Sequence, residues 1–312
     1  MAAELRFRAM GADVHVVVDG PAQLVDLARR RIDDLDGRWS RFRLDSEISR
    51  LNRAGGQLTV LSEPTFDLVR RAMEGHRRTN GAFDPTVLGD VIRAGYDDDF
   101  DNLGPDRCSP PTSPWRRGAS ATLLFPVSRA VMLPAGVGFD SGGIGKGLAA
   151  DLVAAELVHP GAAGACVNVG GDLRVMGTWA GGPSWPLAID HPDGGPGLAR
   201  LQVTDGGVAT SSTLRRAWTM AGERHHHLID PATGRPAATD LVSVSVVAAT
   251  AWEAEVVAKA GILAGAEWCQ AVVEGAGGVA LAVTASGEVL SSPPFTDVAP
   301  DATRAHPLVG MP

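Results

Sequence analysis

Apolar and polar residues alternate along residues 4–19, broken only by "AMGAD", and this predicts two strands joined by a tight turn. From 22 to 43 the apolar residues shift to helical spacing among Arg and Asp. "LDSEISRLN" predicts a short helix capped by Asp45 or Ser46. Residues 63–79 predict another helix, opening near Ser62-Glu63-Pro64. Residues 97–118 hold few apolar side chains and predict a loop. "ATLLFPVSRAVML" predicts a hairpin, and a glycine-opened helix follows from Gly143 to Val158. "GACVNVGGDLRVMG" predicts a strand, a Gly-Gly kink and a second strand. "LVSVSVVA" reads as a strand, "TAWEAEVVAKAGILAG" as a helix and "GGVALAVTASGEVLSS" as a closing hairpin. Hairpins dominate and strands do not alternate regularly with helices. The fold class expected is therefore α+β, with mainly antiparallel sheets and flanking helices, not a doubly wound parallel sheet. Strand pairs followed by helices point to a two-lobed body. One domain is expected over residues 1–292, with a loose Pro- and Asp-rich tail at 293–312.

With 312 residues, 45% of them hydrophobic, the chain can bury a large core. A net charge of −8 without a basic stripe argues against a nucleic-acid partner. No apolar run of about 20 residues is read, so no membrane partner is expected. The chain opens on strand-like sequence instead of a charged and then apolar leader, and the location expected is cytoplasmic. Cys108, Cys166 and Cys269 are odd in number and widely spaced, which fits reduced thiols better than a disulfide framework or a zinc site. Of 28 basic residues only two, Lys146 and Lys259, are lysine. A compact ammonium does work that a planar guanidinium cannot, so both positions draw scrutiny.

Candidate chemistry gathers at glycine-rich stretches. "FDSGGIGKGLAAD" places small residues and Lys146 at a helix start, where amides and the positive dipole end attract an anion. It is not a P-loop: Asp140 stands where the first glycine is needed, and Gly147 where Ser or Thr is needed. A plain strand-to-helix turn with an exposed lysine remains an equal reading of this stretch alone. "GAFDPTV" puts Asp84 in a turn. "VNVGGDLRVMG" breaks a strand at Gly170-Gly171-Asp172, where a ligand could approach the backbone. "HHHLIDPATGRP" joins three histidines to a turn, and consecutive strand positions let at most two share one ion.

In order along the chain, "AMGADVHV", "SRFRLDSEISRLN", "GAFDPTV", "FDSGGIGKGLAAD", "VNVGGDL", "GVATSS" and "HLIDPATGRP" resemble the motifs of the ApbE family of flavin transferases, the FAD:protein FMN transferases. The resemblance spans about residues 7–290. It implies an enzyme that cleaves the FAD pyrophosphate and transfers the FMN phosphoryl group to a Thr or Ser hydroxyl of a partner flavoprotein, releasing AMP. It implies FAD contacts at Met10, Phe42, the loop Ala94-Gly95-Tyr96, Asp140, Lys146 near the pyrophosphate, and the Ile229 backbone. The family often shows Trp-Gly-Phe in that loop, so Ala94 is a departure. His227 is implied as general base for the incoming hydroxyl. The family also implies Mg²⁺, held by the backbone carbonyl at Gly143 and by an Asp and a Thr four residues later. Here Glu255 stands for that Asp and Lys259 for that Thr, so the Lys259 ammonium is expected to replace Mg²⁺ in part, the alternative being that Lys259 turns to solvent and Glu255 still holds the ion with the Gly143 carbonyl. Two further outcomes stay open from sequence: a pyrophosphatase giving FMN and AMP, or a catalytically inert flavin-binding module.

Overall fold

The structure, a computed structural model, describes residues 2–104, 106–107 and 111–292. The expected tail at 293–312 and Cys108 lie outside them. An eight-stranded sheet takes its strands in chain order: Ala2–Ala9, Ala12–Asp19, Gly164–Val169, Asp172–Gly177, Gly206–Ser212, Leu241–Ala248, Val279–Thr284 and Val289–Ser291. Every neighbouring pair in it is antiparallel. Among the described strands, the only parallel pairing is the short Asp106–Arg107 beside Ala217–Met220. The first hairpin turns on Met10 and Gly11, and Met10 holds a positive φ of 54°. Gly170-Gly171 likewise closes a hairpin between two paired strands; it is a turn, not a kink within one strand.

Six α-helices are described: α1 (Gln23–Trp39), α2 (Glu47–Arg53), α3 (Glu63–Arg78), α4 (Leu88–Arg93), α5 (Gly145–Val158) and α6 (Ala251–Gly275). Helix α1 ends earlier than its sequence pattern, because the chain turns to extended backbone at Ser40. Ser46, not Asp45, caps α2: its hydroxyl accepts from the Ser49 amide at 3.0 Å. A single 3₁₀ turn, Ser141–Gly143, precedes α5. Helix α6 is broken at Gly265, whose φ of 76° and ψ of 173° are non-helical, at the residue where its sequence signal ends. A second helical stretch carries it on to Gly275, and the whole is apolar and long enough to cross a membrane by length and composition, a run that the sequence reading did not count. Here its Ala254, Val257, Ala258 and Ile262 pack on Val244, Val246, Ala280 and Ala282 of the sheet.

The alternation Val14, Val16, Val18 buries one face of the first strands against α1 and α5. The opposite face packs Val175, Leu281 and Val283 on the hairpin Trp185–Ile189/Ala199–Val203. Helices α5 and α6 touch closely where Gly147 meets α6. A side-chain carbon there would lie 2.5 Å from the Ala251 carbonyl oxygen, so only glycine lets the two helix starts meet. That contact fixes what lies at the floor of the cavity.

Candidate functional site

A cavity of about 330 Å³ opens where the Met10-Gly11 turn, the C-terminal end of α1, the 82–87 loop, the Ser141–Gly143 turn and α6 converge. Met10, Phe42, Tyr96, Asp140, Gly143, Lys146, His227, Ile229 and Lys259 all line it. Tertiary structure thus gathers residues from Met10 to Leu263 around one space.

One wall is aromatic. Tyr96 packs on Phe42 and Trp218 with ring centroids 5.8 and 5.7 Å apart. The Arg41 guanidinium lies 4.2 Å from the Phe42 centroid and 4.6 Å from that of Tyr96. Arg41 also donates to the Tyr96 carbonyl at 2.8 Å and stands 3.7 Å from Asp140. Asp140 in turn accepts from the Gly142 amide at 2.9 Å, which fixes the turn before α5. Ala94 and Gly95 do not line the cavity; they form the layer behind Tyr96. The Ala94 carbonyl accepts from Trp218 Nε1 at 2.9 Å. At Gly95 a side-chain carbon would lie 2.3 Å from Met220 Cε and 2.8 Å from Trp218 Nε1, so the loop needs glycine there.

The three histidines separate by their partners. His225 Nδ1 donates to the Ala94 carbonyl at 3.1 Å. His226 Nε2 donates to the Ala237 carbonyl at 3.2 Å and its Nδ1 accepts from the Leu228 amide at 3.3 Å, which fixes it neutral. His227 alone of the three lines the cavity, and its Nδ1 is buried with no hydrogen-bond partner among the described residues. Burial holds the His227 imidazole well below its ordinary value, and the charges of Arg216, Lys259 and Lys146 hold it lower still. It is therefore a neutral base at neutral pH.

The floor is a buried ionic cluster. Lys146 Nζ donates to Asp172 and, at 2.9 Å, to Glu255 Oε1. Lys259 Nζ donates to the same Oε1 at 3.2 Å. Glu255 Oε2 accepts from the Gly147 amide at 2.8 Å. The Glu255 residue is only 1% exposed. Burial by itself would raise its carboxyl, but Lys146 and Lys259 outweigh that and hold it at about 2. Asp172, fully buried and facing one ammonium, is pushed up by burial instead. The two carboxylates compete for Lys146. Glu255 keeps its charge because it has a second ammonium and an amide.

This cluster alters two sequence expectations. The Lys146 ammonium is engaged by two carboxylates instead of being left for an anion. The Gly147 amide near the start of α5 is likewise taken by Glu255. The residues implied for Mg²⁺, Gly143 and Glu255, do not fit that ion. Magnesium requires near-octahedral oxygen donors at about 2.0–2.1 Å. Both Glu255 oxygens are already hydrogen-bond acceptors, and two ammoniums share one of them. Lys259 Cε lies 3.5 Å from the point where a side chain at residue 143 would begin, so the lysine stem fills this corner. Among the described residues no group of three His, Cys, Asp or Glu side chains could hold a metal ion.

Sequence reasoning passed over Arg41 and Arg216. Arg41 was inside a motif read for its aromatic neighbour. Arg216 holds a positive φ of 48° on the cavity wall and donates to the Gly11 carbonyl at 3.1 Å, tying its loop to the first turn. A charged residue held in that conformation is a recurrent mark of a functional site, yet no local pattern in the sequence announces it.

The ApbE family profile matches residues 10–283. An FAD:protein FMN transferase of Salmonella typhimurium is 32% identical over 249 residues, covering 75% of this chain and 69% of that protein. The Treponema pallidum protein of the same name is 31% identical over 250 residues, covering 72% and 66% respectively. The crystal structure of the ApbE protein from Thermotoga maritima superposes with a TM-score of 0.85 at 28% identity, covering 96% of this chain and 99% of that one.

Proposed function

The chain belongs to the ApbE family, and from that premise we propose that it transfers the FMN phosphoryl group of FAD to a Thr or Ser hydroxyl of a partner flavoprotein, releasing AMP. The observation that carries this reading is His227: a neutral imidazole among the residues that line the cavity, with the charges of Arg216, Lys259 and Lys146 around it. In this reading the aromatic wall of Phe42 and Tyr96 takes a flat ring system, and Ile229 and Met10 close around it. The pyrophosphate lies toward Lys259 and Arg216. His227 accepts the proton of the incoming hydroxyl as its oxygen bonds to the FMN phosphorus. The bond from that phosphorus to the bridging oxygen breaks, and AMP leaves with the oxygen. Positioning and charge neutralisation supply most of the barrier lowering in such transfers. The family's Mg²⁺ would add a Lewis acid at the leaving oxygen, but the donors at Gly143 and Glu255 do not suit it.

The test is His227→Asn in an assay of AMP release and of covalently bound flavin on the acceptor. Transfer should slow about 10²–10⁴-fold, the usual worth of a positioned base. The FAD dissociation constant should stay nearly unchanged. His225→Asn and His226→Asn should leave the rate within a few-fold, because both rings are tied to backbone carbonyls. Free FMN in place of flavinylated protein, with every acceptor tried, would favour hydrolysis as the reaction.

A further inference from the structure

Two ammoniums share one oxygen of a carboxylate that is otherwise engaged by a backbone amide. The arrangement is asymmetric. Lys146 is neutralised by Glu255 and by Asp172, whose carboxylate is fully buried beside it. Among the described residues, Lys259 hydrogen-bonds to Glu255 alone, through Oε1 at 3.2 Å and the backbone carbonyl at 3.5 Å. Its side chain is 14% exposed, and it lines the cavity beside Gly143. An ammonium has three donors, and this one therefore has capacity left toward the cavity.

A divalent ion bound to Glu255 Oε1 would sit about 2 Å from an oxygen that already has ammonium nitrogens at 2.9 and 3.2 Å. Like charges that close, inside a buried site, repel strongly. Either the lysines or the ion can hold that oxygen, and the α5–α6 contact at Gly147 keeps Lys146 and Glu255 together. We infer that Lys259 is a built-in cation for the phosphates of the bound dinucleotide, and that the site takes no divalent ion. The inference rests on the reading of this cavity as an FAD site. The fixed ammonium supplies one charge and directional N–H donors. It cannot bridge two phosphate oxygens as a Lewis acid does.

The test pairs FAD titration with direct metal counting on the intact chain. FAD binding is followed by flavin fluorescence in EDTA and in added Mg²⁺, and bound Mn²⁺ is counted by electron paramagnetic resonance with FAD present. The expected dissociation constants in EDTA and in Mg²⁺ agree within about two-fold, with no stoichiometric Mn²⁺. Lys259→Met should weaken FAD about ten-fold, the loss of roughly one favourable charge contact. The fold should tolerate it, since Glu255 keeps Lys146 and the Gly147 amide. Glu255→Asp/Lys259→Thr should gain one Mn²⁺ per chain and bind FAD in a Mg²⁺-dependent way. One equivalent of Mn²⁺ on the natural protein, FAD binding that requires Mg²⁺, or unchanged affinity in Lys259→Met would overturn the inference while leaving the transferase reading intact. If either variant fails to fold, the Mn²⁺ count and the EDTA titration of the natural protein decide alone. Absence of saturable FAD binding under every condition would instead sink the FAD-site reading, and the inference with it.

Discussion

Helices α5 and α6 exchange carboxylates at their starts. Asp151 of α5 accepts from the Ala251 and Trp252 amides of α6, both at 2.9 Å. Glu255 of α6 accepts from the Gly147 amide of α5 at 2.8 Å. Both carboxylates lie at the contact of the same two helices, Glu255 buried and Asp151 largely so, and both cap a helix start. They nevertheless titrate in opposite directions. Burial pushes Asp151 up to about 6; the cation paired with it, Arg174 at 3.3 Å, is shared with Asp205. Glu255 is held at about 2 by two lysines. A cap needs an oxygen and no surplus of positive charge, and the Asp151 end has no surplus. The Glu255 end has more cation than capping requires, and it alone faces the cavity. The surplus distinguishes a functional corner from a structural one made by the same device.

The comparison breaks most sharply at Glu255. Glu255→Gln leaves two ammoniums with Asp172 as the one remaining carboxylate beside them, and Lys259 loses the carboxylate it is paired with. That should cost about 3–5 kcal/mol in denaturant unfolding, the typical price of breaking a buried ion pair from one side. The cost should be larger at pH 7 than at pH 3. A depressed carboxyl contributes stability above its unfolded value near 4.5, and this is lost as pH falls toward 2. An equal cost at both values would mean that the lysines do not hold the charge.

Asp151→Asn should cost less, about 1–2 kcal/mol for a weakened cap, and leave FAD affinity alone. Its pH trend should be reversed. A carboxyl raised to about 6 binds protons in the folded state while the unfolded chain has released them, so its contribution fades as pH rises from about 4 to 6. The Asn variant should therefore compare worst with the natural protein at the acid end. A parallel trend for both variants would erase the distinction between the two caps.

The smallest expected effect concerns His227 and the cations that depress it. The folded ring stays neutral while the unfolded ring takes a proton below about 6.5. Stability from this group is therefore lost as pH falls below that value. His227→Asn should flatten the slope there by at most about 1.4 kcal/mol per pH unit, one proton's worth. Unfolding curves that coincide from pH 7 to 5 would place the ring in reach of solvent protons.

Local patterns carried much of this molecule. Strict alternation at Val14, Val16 and Val18 is a strand with one buried face in any context, and Met10-Gly11 breaks it where a hairpin must turn. The order of the short motifs gave the family and most cavity residues, because motifs mark backbone that approaches a ligand. Ala94 and Gly95 were placed one layer too close, since a motif specifies a loop but not which of its atoms face inward. Arg41 and Arg216 were missed because a guanidinium's partners lie elsewhere in the chain: Tyr96 and Asp140 for one, Gly11 for the other.

The sequence by itself determined the antiparallel α+β class, the places of the helices and the rarity of lysine. These follow from side-chain periodicity, turn chemistry and composition, which act over a few residues. It also put Lys259 one helical turn after Glu255, so that pair was legible. Only the tertiary structure decided that Lys146, 109 positions away, would close on the same carboxylate oxygen, and that of the three consecutive histidines His227 would be the one to face the cavity. Charge neutralisation depends on distance in space and on exclusion of water. Both are set by how α5 crosses α6 at Gly147, a contact between segments that share no local pattern.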